Sequence, residues 1–212
     1  MESSRTYLPA AGHDWLLPLY DPFVKLLGGD AVRGALLRRA ALRPGHRVLD
    51  VGCGTGTLAM MIKRLHPDVE VVGLDPDSKA LVHARRKAAR AALSIRFDQG
   101  FADELPYPEA SFDRALSSFM FHHLPPDEKG RMLRAVRRVL KPGGEFHMLD
   151  FEGPEDGAHS FLAHLLHSSD RMGDNSESRV LSLMTQAGLP DPKKVGRRAM
   201  LFGHIAYYRA TA

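Results

Sequence analysis

The sequence predicts an α/β fold built on a doubly wound, mostly parallel sheet of seven strands that ends in an antiparallel strand pair. Three observations carry this expectation. An apolar run (Val48, Leu49, Val51) leads into glycines at alternate positions, Gly52, Gly54 and Gly56, and a helical pattern follows at once. Strand-like and helix-like patterns then alternate as far as Asp150. Two final strand-like runs, 194–201 and 204–209, are separated only by Phe202-Gly203, which suits an antiparallel pair.

The elements follow in order. Residues 15–41 read as a helical region, in which Trp15, Tyr20, Phe23, Leu26 and Leu27 form an apolar cover broken by Pro18 and Pro22. Strand 47–51 ends in the glycine turn, where the missing side chains permit a tight bend and a close approach of backbone to ligand. Leu58, Met61, Ile62 and Leu65 then recur at i, i+3, i+4 and i+7, the spacing of one helix face. Strand 69–75 ends at Asp75; Pro76 fixes the chain direction, and Asp77 or Ser78 caps a helix over 79–92. Strands 94–98 and 113–119 follow, then a helix carrying Arg131, Arg134, Arg138 and Lys141 along one side, then strand 145–151. Residues 150–178 form an irregular helical stretch containing His159, Phe161, His164 and His167.

Composition bounds the class. A chain of 212 residues with 44% hydrophobic and 25% charged residues is a globular domain large enough to bury a full core. The single cysteine, Cys53, excludes an intrachain disulfide and fits a reducing, cytoplasmic compartment. No apolar run approaches the roughly 20 residues of a membrane span, and residues 1–14 lack the apolar core of a signal peptide. Basic residues cluster at Arg85, Arg86, Lys87 and Arg90, along the Arg131 helix, and at Lys193, Lys194, Arg197 and Arg198. No aromatic residues interleave with them as stacking platforms would, which argues against nucleic acid as a partner.

The glycine spacing narrows the ligand. It is G-x-G-x-G rather than the G-x-G-x-x-G of dinucleotide binders, and Asp50 stands where a pyrophosphate would be repelled. Both features weigh against a nicotinamide oxidoreductase. A carboxylate suits a ligand carrying an ammonium and a sulfonium instead. Asp75 follows Gly54 by 21 residues, close to the roughly 20 expected of an acid that binds ribose hydroxyls.

With those residues in view, the chain resembles the class I S-adenosylmethionine methyltransferases, and within them the quinone-biosynthesis C-methyltransferases. The likeness extends through G-F-A-D-E-L-P-Y-P-E-A-S-F-D (Gly100 to Asp113), A-L-S-S-F-M-F-H-H-L (Ala115 to Leu124) and L-K-P-G-G-E-F (Leu140 to Phe146), in the family's order and spacing. It implies a Rossmann-like sheet and S-adenosylmethionine as cofactor. The implied cofactor contacts are Asp50, Gly52, Cys53, Gly54 and Gly56 at the methionine end, Asp75 and Pro76 at the ribose, Phe101 and Ala102 at the adenine, and Ser118 beside the methyl group. Residues 1–212 are then one methyltransferase domain: a helical lid (1–42), the cofactor core (43–150), a substrate-side insert (151–178), and a C-terminal helix with the strand pair (179–212). The family usually has Asp where Phe101 stands. Phe101 either stacks on the purine, with Ala102 N–H reaching a ring nitrogen, or points into the core while Asp98 or Asp103 serves adenine.

Five histidines invite a metal reading, but adjacent His122 and His123 point apart on regular backbone, and His159, His164 and His167 lack a matching Cys or Glu pattern. No metal is expected. His122, His123 and Tyr20 are the catalytic candidates, as base or substrate hydrogen bond. The expected activity is methyl transfer to a small apolar or aromatic molecule. The alternative is a non-catalytic cofactor-binding or regulatory protein, motivated by Phe101 and the absence of a clear base.

Overall fold

A computed structural model describes residues 28–153, 175–200 and 203–212. Uninterrupted apolar pairs such as Val48-Leu49 and Val71-Val72 mark strands covered on both faces. These four side chains are buried on opposite sides of one sheet. In chain order the elements are α1 (Gly29–Ala40), β1 (Arg47–Val51), α2 (Thr57–Leu65), β2 (Glu70–Asp75), α3 (Ser78–Arg90), β3 (Arg96–Gln99), β4 (Phe112–Ser118), a 3-10 turn (Phe121–His123), α4 (Pro126–Val139), β5 (Leu140–Phe151), α5 (Glu177–Gln186), β6 (Lys193–Met200) and β7 (Gly203–Thr211).

The seven strands lie in the order β3-β2-β1-β4-β5-β7-β6. β1 to β5 are mutually parallel, and β7 runs antiparallel between β5 and β6. Helices α1, α2 and α3 cover one face through Leu36, Ile62 and Leu81. Helices α4 and α5 cover the other through Met132, Leu133, Val136 and Met184. Strand order reverses between β1 and β4, which opens a crevice at the carboxyl ends of the strands, where such sheets bind ligands.

The expected strands all form, with shifted ends. β3 begins at Arg96 rather than 94, because Leu93 still closes the end of α3 by donating to Ala88 O at 3.0 Å. Asp77 is the cap of α3, its Oδ1 accepting from Lys79 N and Ala80 N at 2.8 and 3.2 Å. The largest departure is β5, which begins at Leu140, paired with Phe112, rather than at 145. Lys141 therefore sits on that strand and not on the α4 face, and its Nζ donates to both oxygens of Asp113 at 2.9 Å.

The basic clusters are partly structural. Arg138 donates to the carbonyls of Tyr107 and Leu105, Arg131 to Asp103 and Asp127, and Arg85 to Phe97 O. α1 is tied to the far side of the chain: Tyr207 of β7 donates through its hydroxyl to Val32 O at 3.2 Å, and the Arg39 guanidinium lies 4.3 Å above the Tyr207 ring. The aromatic cover at 15–27 with Tyr20, residues 154–174 of the insert with their three histidines, and Phe202 lie outside the described residues.

Candidate functional site

The turn after β1 is held by its neighbour strand: Gly52 N and Cys53 N both donate to Leu74 O, at 2.8 and 3.0 Å. Gly52, Gly54 and Gly56 all adopt left-handed backbone, with φ of 72°, 50° and 77°. What surrounds each of them differs. A Cβ on Gly52 would stand 2.2 Å from Met120 Cγ, and one on Gly56 would stand 2.9 Å from the Phe97 ring and 3.0 Å from Ala84 Cβ. Among the described residues nothing lies within 4 Å of a Cβ on Gly54. Gly52 and Gly56 thus make room for protein, whereas Gly54 presents bare backbone that no described residue covers.

Asp75, at the end of β2, reaches this backbone directly. Its Oδ2 accepts from Gly54 N at 2.7 Å and its Oδ1 from Asp77 N at 2.9 Å. Burial pushes its carboxyl up to about 6, against the pull of those two N–H groups. Each carboxylate oxygen retains a second lone pair for a hydroxyl donor. Cys53 is buried and its thiol is raised well above the ordinary range by burial, so it packs rather than reacts.

Asp50, near the end of β1, is 1% exposed, and neither of its oxygens has a hydrogen-bond partner among the described residues. Burial raises its carboxyl to about 7, although Arg33 and the Ala59 N–H pull it the other way. A carboxylate left bare in the interior is costly unless a cation comes to it. Arg33 comes from α1. It is 7% exposed, its Nε donates to Ser118 Oγ at 3.4 Å, and its guanidinium carbon lies 5.4 Å from the centre of the Phe119 ring. Sequence reasoning missed Arg33. The available signal was its position three, four and seven residues before Leu36, Leu37 and Ala40, which puts a cation on the apolar face of the helix.

Beyond β4 the chain turns through Phe119, at a left-handed φ of 56°, into the 3-10 turn. Asp150 anchors this turn from β5. Its Oδ2 accepts from Phe121 N at 2.7 Å, its Oδ1 from Phe151 N at 2.7 Å, and His122 Nδ1–H donates to Oδ1 at 2.6 Å. Burial works to raise the Asp150 carboxyl, but His122 and the backbone donors outweigh it and hold it below the usual carboxylate range. The ionised carboxylate sets the imidazole tautomer, with the proton on Nδ1 and the basic lone pair on Nε2. The rings of His123 and Phe151 flank His122 at 4.0 and 5.2 Å.

Beyond the end of β3, Ala102 is buried and Phe101 is half-buried and outside the core clusters. The two acids that stood as substitutes are already engaged. Asp98 accepts from Arg96 and from the Tyr107 hydroxyl at 3.0 and 3.1 Å, and Asp103 accepts from Arg131 at 3.0 Å. Among the described residues no helix is long and apolar enough to cross a membrane.

A bare buried acid, a backbone floor without a side chain and a second acid bonded to that floor fit a ligand with an ammonium at one end and ribose hydroxyls further along. Residues 48–144 match the family described as Methyltransferase domain. The chain is 34% identical over 204 residues to the demethylmenaquinone methyltransferase of Deinococcus radiodurans, covering 92% of this chain and 84% of that one. It is 38% identical to that of Thermus thermophilus, over 68% of this chain and 66% of the relative. The solved YcgJ protein of Bacillus subtilis superposes with a TM-score of 0.70 at 29% identity, covering 78% of this chain and 70% of that one. Fold, site and relatives together define a class I methyltransferase whose cofactor is S-adenosylmethionine. Within that class the chain belongs to the quinone-biosynthesis-like methyltransferase family.

Proposed function

We propose that the chain transfers a methyl group to a small apolar molecule bearing an ionisable hydroxyl on an aromatic ring, of the quinol type. The Deinococcus relative's name supports the quinone-like class. The observation that carries the hydroxyl is the pairing of His122 with Asp150 at 2.6 Å beside the end of β4. Bound S-adenosylmethionine supplies an electrophilic methyl on a sulfonium. In this reading Asp50 neutralises the methionine ammonium, the Gly52–Gly54 backbone lies along the methionine chain, and Asp75 accepts from the ribose. Ala102 N–H and the Phe101 ring serve adenine, while Ser118 borders the methyl. His122 Nε2 takes the acceptor hydroxyl proton as the nucleophile attacks, and Asp150 stabilises the imidazolium that results. We further place the reaction in the cytoplasm, where the Cys53 thiol stays reduced, and read the acceptor as small rather than nucleic because many basic residues are tied into the fold.

Incubation with methyl-labelled S-adenosylmethionine and a reduced 2-alkyl-1,4-dihydroxynaphthalene is expected to move label into the organic phase. Cofactor binding with no transfer to any ring hydroxyl compound would favour the binder-only alternative. His122→Asn is expected to lower kcat roughly 100-fold with cofactor Kd unchanged; an unaltered kcat would remove His122 from the mechanism. Asp75→Ala is expected to abolish cofactor binding in calorimetry. Because Asp75 also holds Gly54 N and Asp77 N, the same change lowers Tm by a few degrees, at about 1 kcal/mol per lost charged hydrogen bond, so the fold does not go untouched.

A further inference from the structure

We propose that Lys129 of α4 and Asn175, just ahead of α5, are positioning residues for methyl transfer: together they hold the Asp150 carboxylate in place and, through it, the His122 imidazole. The inference rests on the reading of His122 as the base and extends it to two side chains outside the sequence motifs of the core.

Lys129 and Asn175 are 0% and 1% exposed. Lys129 Nζ donates to Asn175 Oδ1 at 2.8 Å, and Asn175 Nδ2 donates to Phe151 O at 3.2 Å. Asn175 O in turn accepts from Gly153 N at 3.0 Å, so the end of β5 is gripped at two points. An ammonium only donates and a carbonyl only accepts, so a side chain bridging them must present both an oxygen and an N–H. An amide does this; a carboxylate or a hydrocarbon of the same size does not. The grip reaches His122 by two routes. Phe151 N donates to the same Asp150 Oδ1 that accepts from His122 Nδ1–H, so fixing Phe151 fixes that oxygen. Lys129 Nζ also lies 5.3 Å from the centre of the Phe121 ring, and Phe121 N donates to Asp150 Oδ2. Both carboxylate oxygens are thereby set from one ammonium. The Phe151 ring, carried by the same backbone, stands edge-on to His122 at 5.2 Å. Burying an ammonium is costly, and methionine would fill a similar volume without that cost. What methionine lacks is the bond to Asn175 and the charge over Phe121.

Lys129→Met and Lys129→Gln carry side chains of similar length, and only glutamine can still donate to Asn175 Oδ1. With the dihydroxynaphthalene acceptor, kcat of Lys129→Met is expected to fall roughly 10-fold, while acceptor KM and S-adenosylmethionine Kd stay as in wild type. Lys129→Gln recovers part of the loss. Proton NMR of the ligand-free protein reads the same geometry without turnover. The His122 Nδ1–H signal, slow to exchange in wild type, is expected to exchange roughly 10-fold faster in Lys129→Met. Asn175→Asp separates positioning from packing, and this arm stands even where Lys129→Met does not fold. It keeps a partner for Lys129 and hence the Tm, but its carboxylate cannot donate to Phe151 O, so kcat and the Nδ1–H signal change as in Lys129→Met. Wild-type kcat and exchange in Asn175→Asp, or a fall in Lys129→Met that Lys129→Gln does not relieve, would overturn the assignment and leave the pair a structural contact. Should wild type transfer no methyl, or His122→Asn transfer it at the wild-type rate, the base reading itself falls and takes this assignment with it.

Discussion

Asp50→Asn is expected to raise the Tm of the ligand-free protein by roughly 5 °C at pH 8 while weakening S-adenosylmethionine at least about 100-fold. The two effects share one cause. Burial raises the Asp50 carboxyl far above the usual carboxylate range, to about 7, so its ionised form costs the folded state stability. The sign follows from proton counting. Between pH 4 and 7 the folded chain binds more protons here than the unfolded chain, and stability falls as pH rises through that window. Asp75, raised to about 6, contributes in the same direction. Asparagine removes the Asp50 part, so the variant's Tm declines less between pH 5 and 8 than that of wild type. Cofactor affinity runs the opposite way. If Asp50 holds the ammonium as proposed, its protonated form must ionise first, so wild-type affinity rises with pH up to about 7. Scanning calorimetry at both pH values and titrations in buffers of different ionisation enthalpy measure both halves. A lower Tm for the variant at pH 8 would sink this account.

Gly54→Ala and Gly56→Ala are expected to fail in different ways. At Gly56 the new methyl meets the Phe97 ring and Ala84 in a left-handed conformation. Overpacking and backbone strain together cost about 3 kcal/mol, readable as a lower urea midpoint. At Gly54 the methyl meets no atom of the described residues, and the left-handed φ alone costs about 1 kcal/mol. There the loss appears in cofactor titration, roughly 10- to 100-fold, because the methyl stands where the ligand meets backbone. A Gly54→Ala protein that binds the cofactor normally would show that the ligand does not approach over this residue.

The contrast between these glycines marks what could be read from sequence. The fold was legible because each signal was local: apolar runs in β1 and β2, helical spacing after Gly56, a short break before β7. The spacing of 21 residues from Gly54 to Asp75 was legible as that of a ribose-binding acid, but the hydrogen bond between the two was not. Which glycine is packed against protein and which is not depended on Phe97 and Met120, far along the chain. Arg33 escaped notice because its partner Ser118 lies 85 residues away. Asp150 escaped because its value lies in the imidazole 28 residues earlier. Lys141 was misplaced because its helix-compatible spacing from Arg138 runs on past Leu140, where the chain already pairs with Phe112.

The hydrogen bond from Tyr207 to Val32 spans 175 residues, and α1 also packs against β5. The helix is therefore seated by strands that follow it far along the chain, whereas the bond between Asp75 and Gly54 closes within a single β-α-β unit. Disruption of β7 is accordingly expected to loosen α1 while the glycine turn keeps its shape.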